Sequence, residues 1–237
     1  MAREIETQSI TLMSALAVRG AFENGIIPAF EAESRIHVVT EWTPSTVIMS
    51  KIAAGERTDV VVVIVDSMDR LVEQDEVDPA SRVELAHSRL GLAVPPGAAH
   101  PDISTVEAFT KALLAARSVA YSKGGASGIY FQKLIETLGI ADAINAKATA
   151  IPAGFTAEKL LTGEADMAVQ QVSELMVVPT VEIIGKFPEE VQQVTSFSAA
   201  IMRDTANRSA AERFIASLTG DKAASAYRAS GVDPIID

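Results

Sequence analysis

The sequence predicts an α/β protein built on parallel sheets with crossover helices. Three observations carry that reading. Short apolar runs alternate with helical stripes along the chain. One run, "TDVVVVIV", is continuously β-branched, as in a strand buried on both faces. Small polar residues recur where strands end. With 237 residues the chain can form one domain or two lobes of about 100 residues each. Hydrophobic residues make up 48% and charged residues 22%, an ordinary globular balance, and no repeat or low-complexity segment is visible.

Taken in order, "SITLMSAL" reads as a strand and a turn. A helix follows from Val18 on the stripe Val18, Ala21, Phe22, Ile26 and Phe30, and Pro28 should kink or end it early. "RIHVVTEW" is a second strand. "STVIMSKIAAGE" is a short helix ending at Gly55, and "TDVVVVIV" is the buried strand. "RLGLAVPPG" is a strand closed by prolines. In "DISTVEAFTKALLAA", Asp102 or Ser104 caps a helix. "RSVAYS" is a strand leading into a glycine loop. "TAEKLLTGEADMAVQ" is a helix, a turn at Gly163 and a strand. "QVTSFSAAIM" is another strand, and "SAAERFIASLTGDKAASAYRASG" reads as paired C-terminal helices.

The glycine loop opens "GGASGIYFQKLIETLG", Gly124 to Gly139. Phe131, Leu134, Ile135 and Leu138 form a helical stripe, and Gly139 stands where a left-handed C-terminal cap would sit. Two readings of Gly124, Gly125, Ser127 and Gly128 stay open. They bring backbone close to an anion at a helix N-terminus, or they make a tight turn with Ser127 as a plain N-cap. The loop matches neither the phosphate-binding nor the dinucleotide-binding glycine pattern.

Composition narrows the partners. A net charge of −11 argues against nucleic acid or an anionic membrane, but leaves room for a small anion at one local positive site. The chain has no cysteine, which excludes disulfides and thiol chemistry. His37, His87 and His100 lack ligand-like spacing, so neither a metal nor a cofactor is expected. The start, "MAREIETQSITLMSAL", has no secretory character, and no segment reaches the roughly 18 apolar residues of a membrane span. The chain as given is therefore expected in the cytoplasm, or in the periplasm if a signal has been removed.

Four blocks, "SALAVRGAFENGIIPAFEAES", "GERTDV", "ASGIYFQKLIETLG" and "GEADMAV", occur in an order that resembles periplasmic molybdate-binding proteins. More broadly the chain resembles type 2 solute-binding proteins of ABC transporters. The resemblance implies two Rossmann-like lobes with mixed sheets joined by a hinge. Lobe I would be residues 1–84 and 196–237, lobe II residues 85–195, with a ligand cleft between them. It also implies a monomer, and an ABC permease as partner only if the chain is exported.

The departures from that family pattern carry information. A serine of the molybdate site aligns with Ala17, and a threonine two residues later aligns with Arg19. The serine-rich second loop reads "TPST", with Pro44 in place of one hydroxyl residue. An alanine before the central helix aligns with Ser127, and a late tyrosine aligns with Gln171. A tetrahedral oxyanion wants a ring of neutral donors, whereas an arginine fork suits a carboxylate and a glutamine both donates and accepts. The expected ligand is a small organic carboxylate, with molybdate or tungstate as the alternative.

The residues expected to bind it are Ser14, Ala15, Arg19, Thr43, Ser45, Thr46, Ser122, Ser127, Gly128 and Gln171. Each also has a bland reading as a cap, turn or solvated residue. Alternation in a strand lets only one of Gln170 and Gln171 face the ligand, and the resemblance favours Gln171. Trp42, beside the "TPST" loop, walls the site or belongs to the core. A second class of function is an enzyme on this scaffold, because some proteins of the group resemble aconitate isomerases. Candidate acid–base residues are then Glu174, Tyr121 and Lys123, with Glu174 equally readable as a capping-box residue.

Overall fold

The computed structural model describes residues 8–235. In chain order these form β1 (Ser9–Ser14), α1 (Arg19–Ala21), α2 (Ile27–Ser34), β2 (His37–Trp42), α3 (Ser45–Ala53), β3 (Val60–Ile64), α4 (Val65–Glu73) and β4 (Val83–Val94). Next come α5 (Val106–Ala115), β5 (Val119–Ser122), α6 (Ala126–Thr137), α7 (Ala141–Asn145), β6 (Thr149–Ile151), α8 (Glu158–Leu161) and β7 (Met167–Gln171). The remainder is α9 (Val172–Val177), β8 (Glu182–Lys186), β9 (Val194–Ile201), α10 (Arg208–Ser217), α11 (Asp221–Ala229) and β10 (Asp233–Pro234). The chain divides into two compact units. One takes the described residues of Met1–Ala86, Ser196–Ala229 and Asp233–Asp237, the other His87–Thr195 and Ser230–Val232.

In the first unit β1 lies between β2 and β3, parallel to both, and β3 pairs antiparallel with β9. Val60 to Val63 are fully buried, as a continuous β-branched run requires when helices cover both faces. On one face of the strand, Met13, Ile48, Ile52, Met68 and Leu71 cluster with Val61 and Val63. The strand stops at Ile64, and Val65 already belongs to α4, one residue earlier than the run of valines suggests.

Pro28 does not end its helix. The turn before it, Phe22–Ile26, is wound as a π-helix in which Ile27 N–H donates to Phe22 O. The wider turn absorbs the hydrogen bond that proline cannot make, and α2 runs on to Ser34, with Arg35 closing it at φ 60°. Below the strands, Asp59 ties three segments together. It accepts from Thr11 N–H (2.7 Å), Thr11 Oγ1 (3.0 Å), Thr205 Oγ1 (2.5 Å) and Asn207 Nδ2 (3.3 Å).

In the second unit β5 is parallel to both β6 and β7, while β4 pairs antiparallel with β7 and β8. Phe109, Leu113, Tyr121, Phe131, Ile135 and Phe187 form its core. Thr105, rather than Asp102 or Ser104, caps α5, its Oγ1 accepting from Ala108 N–H at 3.1 Å. Asp102 instead accepts from Ser104 N–H at 2.9 Å and braces the loop before the cap. Gly139 takes φ 69° just beyond the end of α6, as its position after the apolar stripe predicts.

Candidate functional site

Within each unit, candidate residues lie at the carboxyl ends of parallel strands, where helices also begin. In the first unit the register aligns Ser14 with Trp42 on one side and Val62 on the other. Thr43 N–H donates to Ser14 O (3.1 Å), Ala15 N–H to Val62 O (2.9 Å) and Ile64 N–H to Ser45 Oγ (3.1 Å). Ser14 and Thr43 are thus bonded to each other, and Ala15 and Ser45 are each bonded to β3. Much of their hydrogen-bonding capacity is spent within the unit. The Ala15 and Thr43 amides are committed to carbonyls, and Ser14 Oγ donates to Ala15 O (3.2 Å). Ser45 Oγ acts as an acceptor, which leaves its hydrogen to give. Thr46, one residue into α3, is exposed.

Arg19 reaches these strand ends through Trp42. Its guanidinium carbon lies 6.0 Å from the centre of the indole ring, and its Nε donates to Glu23 at 2.9 Å. Trp42 in turn packs edge-on against Phe22 at 6.0 Å. Trp42 Nε1 is buried and meets no acceptor among the described residues. Sequence reasoning noted the lone tryptophan beside the loop, but not that its N–H would be left unpaired.

In the second unit the glycine loop resolves into a docking device and a row of amides. Gly125, not Ser127, is the N-cap of α6, and it uses no side chain for the purpose. Ser122 Oγ accepts from Gly125 N–H at 3.2 Å, so the strand's own last residue closes the loop. Lys123 N–H and Gly124 N–H donate to Ile151 O and Pro152 O. The first helical hydrogen bond runs from Ile129 N–H to Gly125 O. The amides of Ala126, Ser127 and Gly128 thus form the open first turn that a helix N-terminus presents to an anion. A Cβ on Gly128 would stand 1.4 Å from Ser122 O, so this glycine lets α6 press directly on the end of β5.

Gln170 and Gln171 are both buried. Gln170 is fully used: its Oε1 accepts from Thr156 N–H (2.8 Å) and Oγ1 (3.0 Å), and its Nε2 donates to Gly154 O (2.9 Å). Gln171 Nε2 donates to Thr195 Oγ1 (3.0 Å), while its Oε1 finds no donor among the described residues. Glu174, three residues on and 9% exposed, stands in the first turn of α9, whose N-cap Gln171 makes no side-chain cap bond, so the capping box that its position suggests is not completed. Its carboxyl takes hydrogen bonds from the Gln171 backbone and the Gln170 side chain, yet burial outweighs both and pushes its pKa up to about 8.

The other two acid–base candidates lie elsewhere. Tyr121 points into the apolar core against Phe131 (5.4 Å), and its O–H donates to Asn145 Oδ1 at 3.1 Å. Lys123 is exposed. Among the described residues no group of three or more histidine, aspartate and glutamate side chains is placed to hold a metal ion. No helix among them is long and apolar enough to cross a membrane.

Comparison with known proteins follows the same lines. Residues 10–233 match the family described as bacterial extracellular solute-binding protein. An aconitate isomerase from Pseudomonas sp. is 33% identical over 233 residues, covering 96% of this chain and 88% of that protein. The periplasmic molybdate-binding protein of Azotobacter vinelandii superposes with a TM-score of 0.79 at 20% identity, covering 94% of this chain and 98% of the other. The sulfate-binding protein of Mycobacterium tuberculosis gives 0.72 at 18% identity, over 96% and 87% of the two chains.

Proposed function

This chain belongs to the bacterial extracellular solute-binding protein family, and from that premise we propose that it binds a small organic polycarboxylate through its strand-end loops. The observation that carries the reading is Arg19, held over Trp42 beside Ser14, Thr43 and Ser45. A guanidinium fork matches a carboxylate in shape and charge. In the second unit, the open amides of α6, Ser127 and Gln171 are the donors we assign to an anion of the same class. An exported form would hand its ligand to a permease.

Thermal unfolding with citrate, cis-aconitate, trans-aconitate, sulfate and molybdate tests this. A tricarboxylate present at a hundred times its Kd should stabilise the protein by about 2.7 kcal/mol. Arg19→Ala should weaken that binding by roughly 10- to 100-fold, the worth of a hydrogen bond to a charged partner. A shift with molybdate or sulfate and none with any tricarboxylate would overturn the proposal.

A second reading is isomerisation of an allylic tricarboxylate on this scaffold. What favours it is the aconitate isomerase that is 33% identical across 96% of the chain. Nuclear magnetic resonance of cis-aconitate incubated with the protein tests it directly: the trans isomer should accumulate, and a bound ligand unchanged over hours removes the reading.

A further inference from the structure

Glu174 is anomalous for a capping residue. A capping glutamate at the start of an exposed helix is solvated and ionised, and it gains from the helix dipole. Here the carboxyl is enclosed at the end of β7, among amides and without a cation. Its hydrogen-bond partners, the Gln171 backbone and the Gln170 side chain, fill two of the roughly four acceptor positions of a carboxylate. Gln170 is fixed from behind by Thr156 and Gly154. The carboxyl is therefore steadied by these two amides, while the Gln171 side chain is turned to Thr195 and leaves its Oε1 without a donor among the described residues.

No charged group is among the causes of the Glu174 shift, although β4, which pairs with β7, brings Glu84, His87 and Arg89, the last bridged to Glu189 at 3.3 Å. The strand β7 carries no ionisable side chain. On β8, Glu182 is engaged by Gly97 N–H (2.7 Å) and His100 Nε2 (2.6 Å), and Lys186 is exposed. Neither enters the causes of the Glu174 shift, which are burial and the two amide bonds alone. Of the three acid–base candidates, only Glu174 joins a strand-end position with an enclosed, oriented carboxyl. Tyr121 is spent in the core and Lys123 is solvated.

We propose that Glu174 carries the proton in a 1,3-allylic shift of a tricarboxylate bound at these strand ends, an inference that rests on the isomerase reading above. The ionised carboxyl takes a proton from the methylene carbon that lies between a carboxylate and the C=C bond. The C–H electron pair becomes the new C=C bond. The former C=C pair forms a C–H bond at the far carbon, with the proton returned by the Glu174 carboxylic acid. Nothing is oxidised or reduced and no co-reactant is consumed. Gln170 and the Gln171 amide act as positioning groups that hold the carboxyl for both transfers.

The test compares wild type with Glu174→Gln, because glutamine keeps the capping bond at this helix position and cannot carry the proton. Binding of trans-aconitate is read by thermal shift, and turnover of cis-aconitate by magnetic resonance in deuterated buffer. Wild type should isomerise, with a rate that climbs with pH and levels off above about 8, where the carboxyl is ionised. The variant should bind within about threefold of wild type and turn over at least 100-fold more slowly, the range that general acid–base catalysis commands. Turnover by Glu174→Gln within tenfold of wild type would assign the residue to capping alone. A wild-type rate that stays flat from pH 6 to 9 would do the same, and it needs no variant to fold. Wild type that binds but neither isomerises nor exchanges deuterium would instead remove the isomerase reading, a failure distinct from the other two.

Discussion

Replacing Gly128 with alanine adds one carbon where there is no room for it. The new Cβ would stand 1.4 Å from Ser122 O and 2.5 Å from Ser122 C, both backbone atoms that no rotamer change can move aside. Restoring even a 3.0 Å contact requires the start of α6 to retreat about 1.6 Å from β5. That retreat breaks the Gly125 N–H to Ser122 Oγ bond and loosens Phe131, which is fully buried and touches Tyr121 and Phe187. Overpacking costs typically 1–3 kcal/mol, and a clash between fixed backbones belongs at the top of that range. For a chain of this length about 3 kcal/mol lowers Tm by roughly 6–12 °C. The assay is thermal unfolding followed by circular dichroism, with Gly139→Ala as the control. Gly139 also needs a positive φ, but a Cβ there meets nothing within 4 Å, so its cost is about 1–2 kcal/mol of left-handed strain. A Gly128→Ala protein that melts no lower than the Gly139→Ala control would refute the reasoning.

Other expectations are as direct. Asp59→Ala strips the acceptor from Thr11, Thr205 and Asn207 at a nearly buried position, and should cost about 2–4 kcal/mol in urea unfolding. Tyr121→Phe should lose only about 1 kcal/mol, for the bond to Asn145, and leave ligand affinity unchanged in the thermal-shift assay. Glu174 titrates higher in the fold, at about 8, than its ordinary 4.5, so folding favours the protonated form. Its contribution is intact below pH 4.5 and declines as pH rises to about 8. Glu174→Gln, which cannot ionise, should therefore gain stability relative to wild type across that window, with a constant difference above it; denaturant midpoints at pH 5, 6.5 and 8 will read this. A difference independent of pH would contradict it.

The alternation of strands and helices was legible because burial writes itself into sequence: the valines of β3 and the stripe of α6 have one sensible reading each. Where the reading slipped, the cause lay outside local pattern. Pro28 signals a helix end, and only the π-wound turn before it shows how the chain avoids one. The short strands β6 and β8 are partly exposed and carry no clear alternation, so they left no mark. For the site, residue types and strand ends could be read, but hydrogen-bond partners could not. Ala15 was a binding candidate with a cap or turn reading beside it, and its N–H is tied to Val62 O. Of the two readings open for Ser127, the cap is excluded, because Ser122 and Gly125 close that loop between them. The setting of Glu174 includes Gln170, itself held by Thr156 and Gly154, which no spacing rule connects.

The division of the chain also sets an order of birth. The second unit is nearly contiguous, Val119 to Gln171 supplying three of its strands before Ser196 has been made. The first unit must wait, since β9 arrives only after the whole of that stretch. Until then the valine edge of β3 has β1 on one side and no strand on the other. A nascent chain leaving the ribosome thus holds the strands of its middle stretch first and keeps a sticky, all-apolar strand edge in waiting. That interval is where holding chaperones would act and where slow translation would do harm.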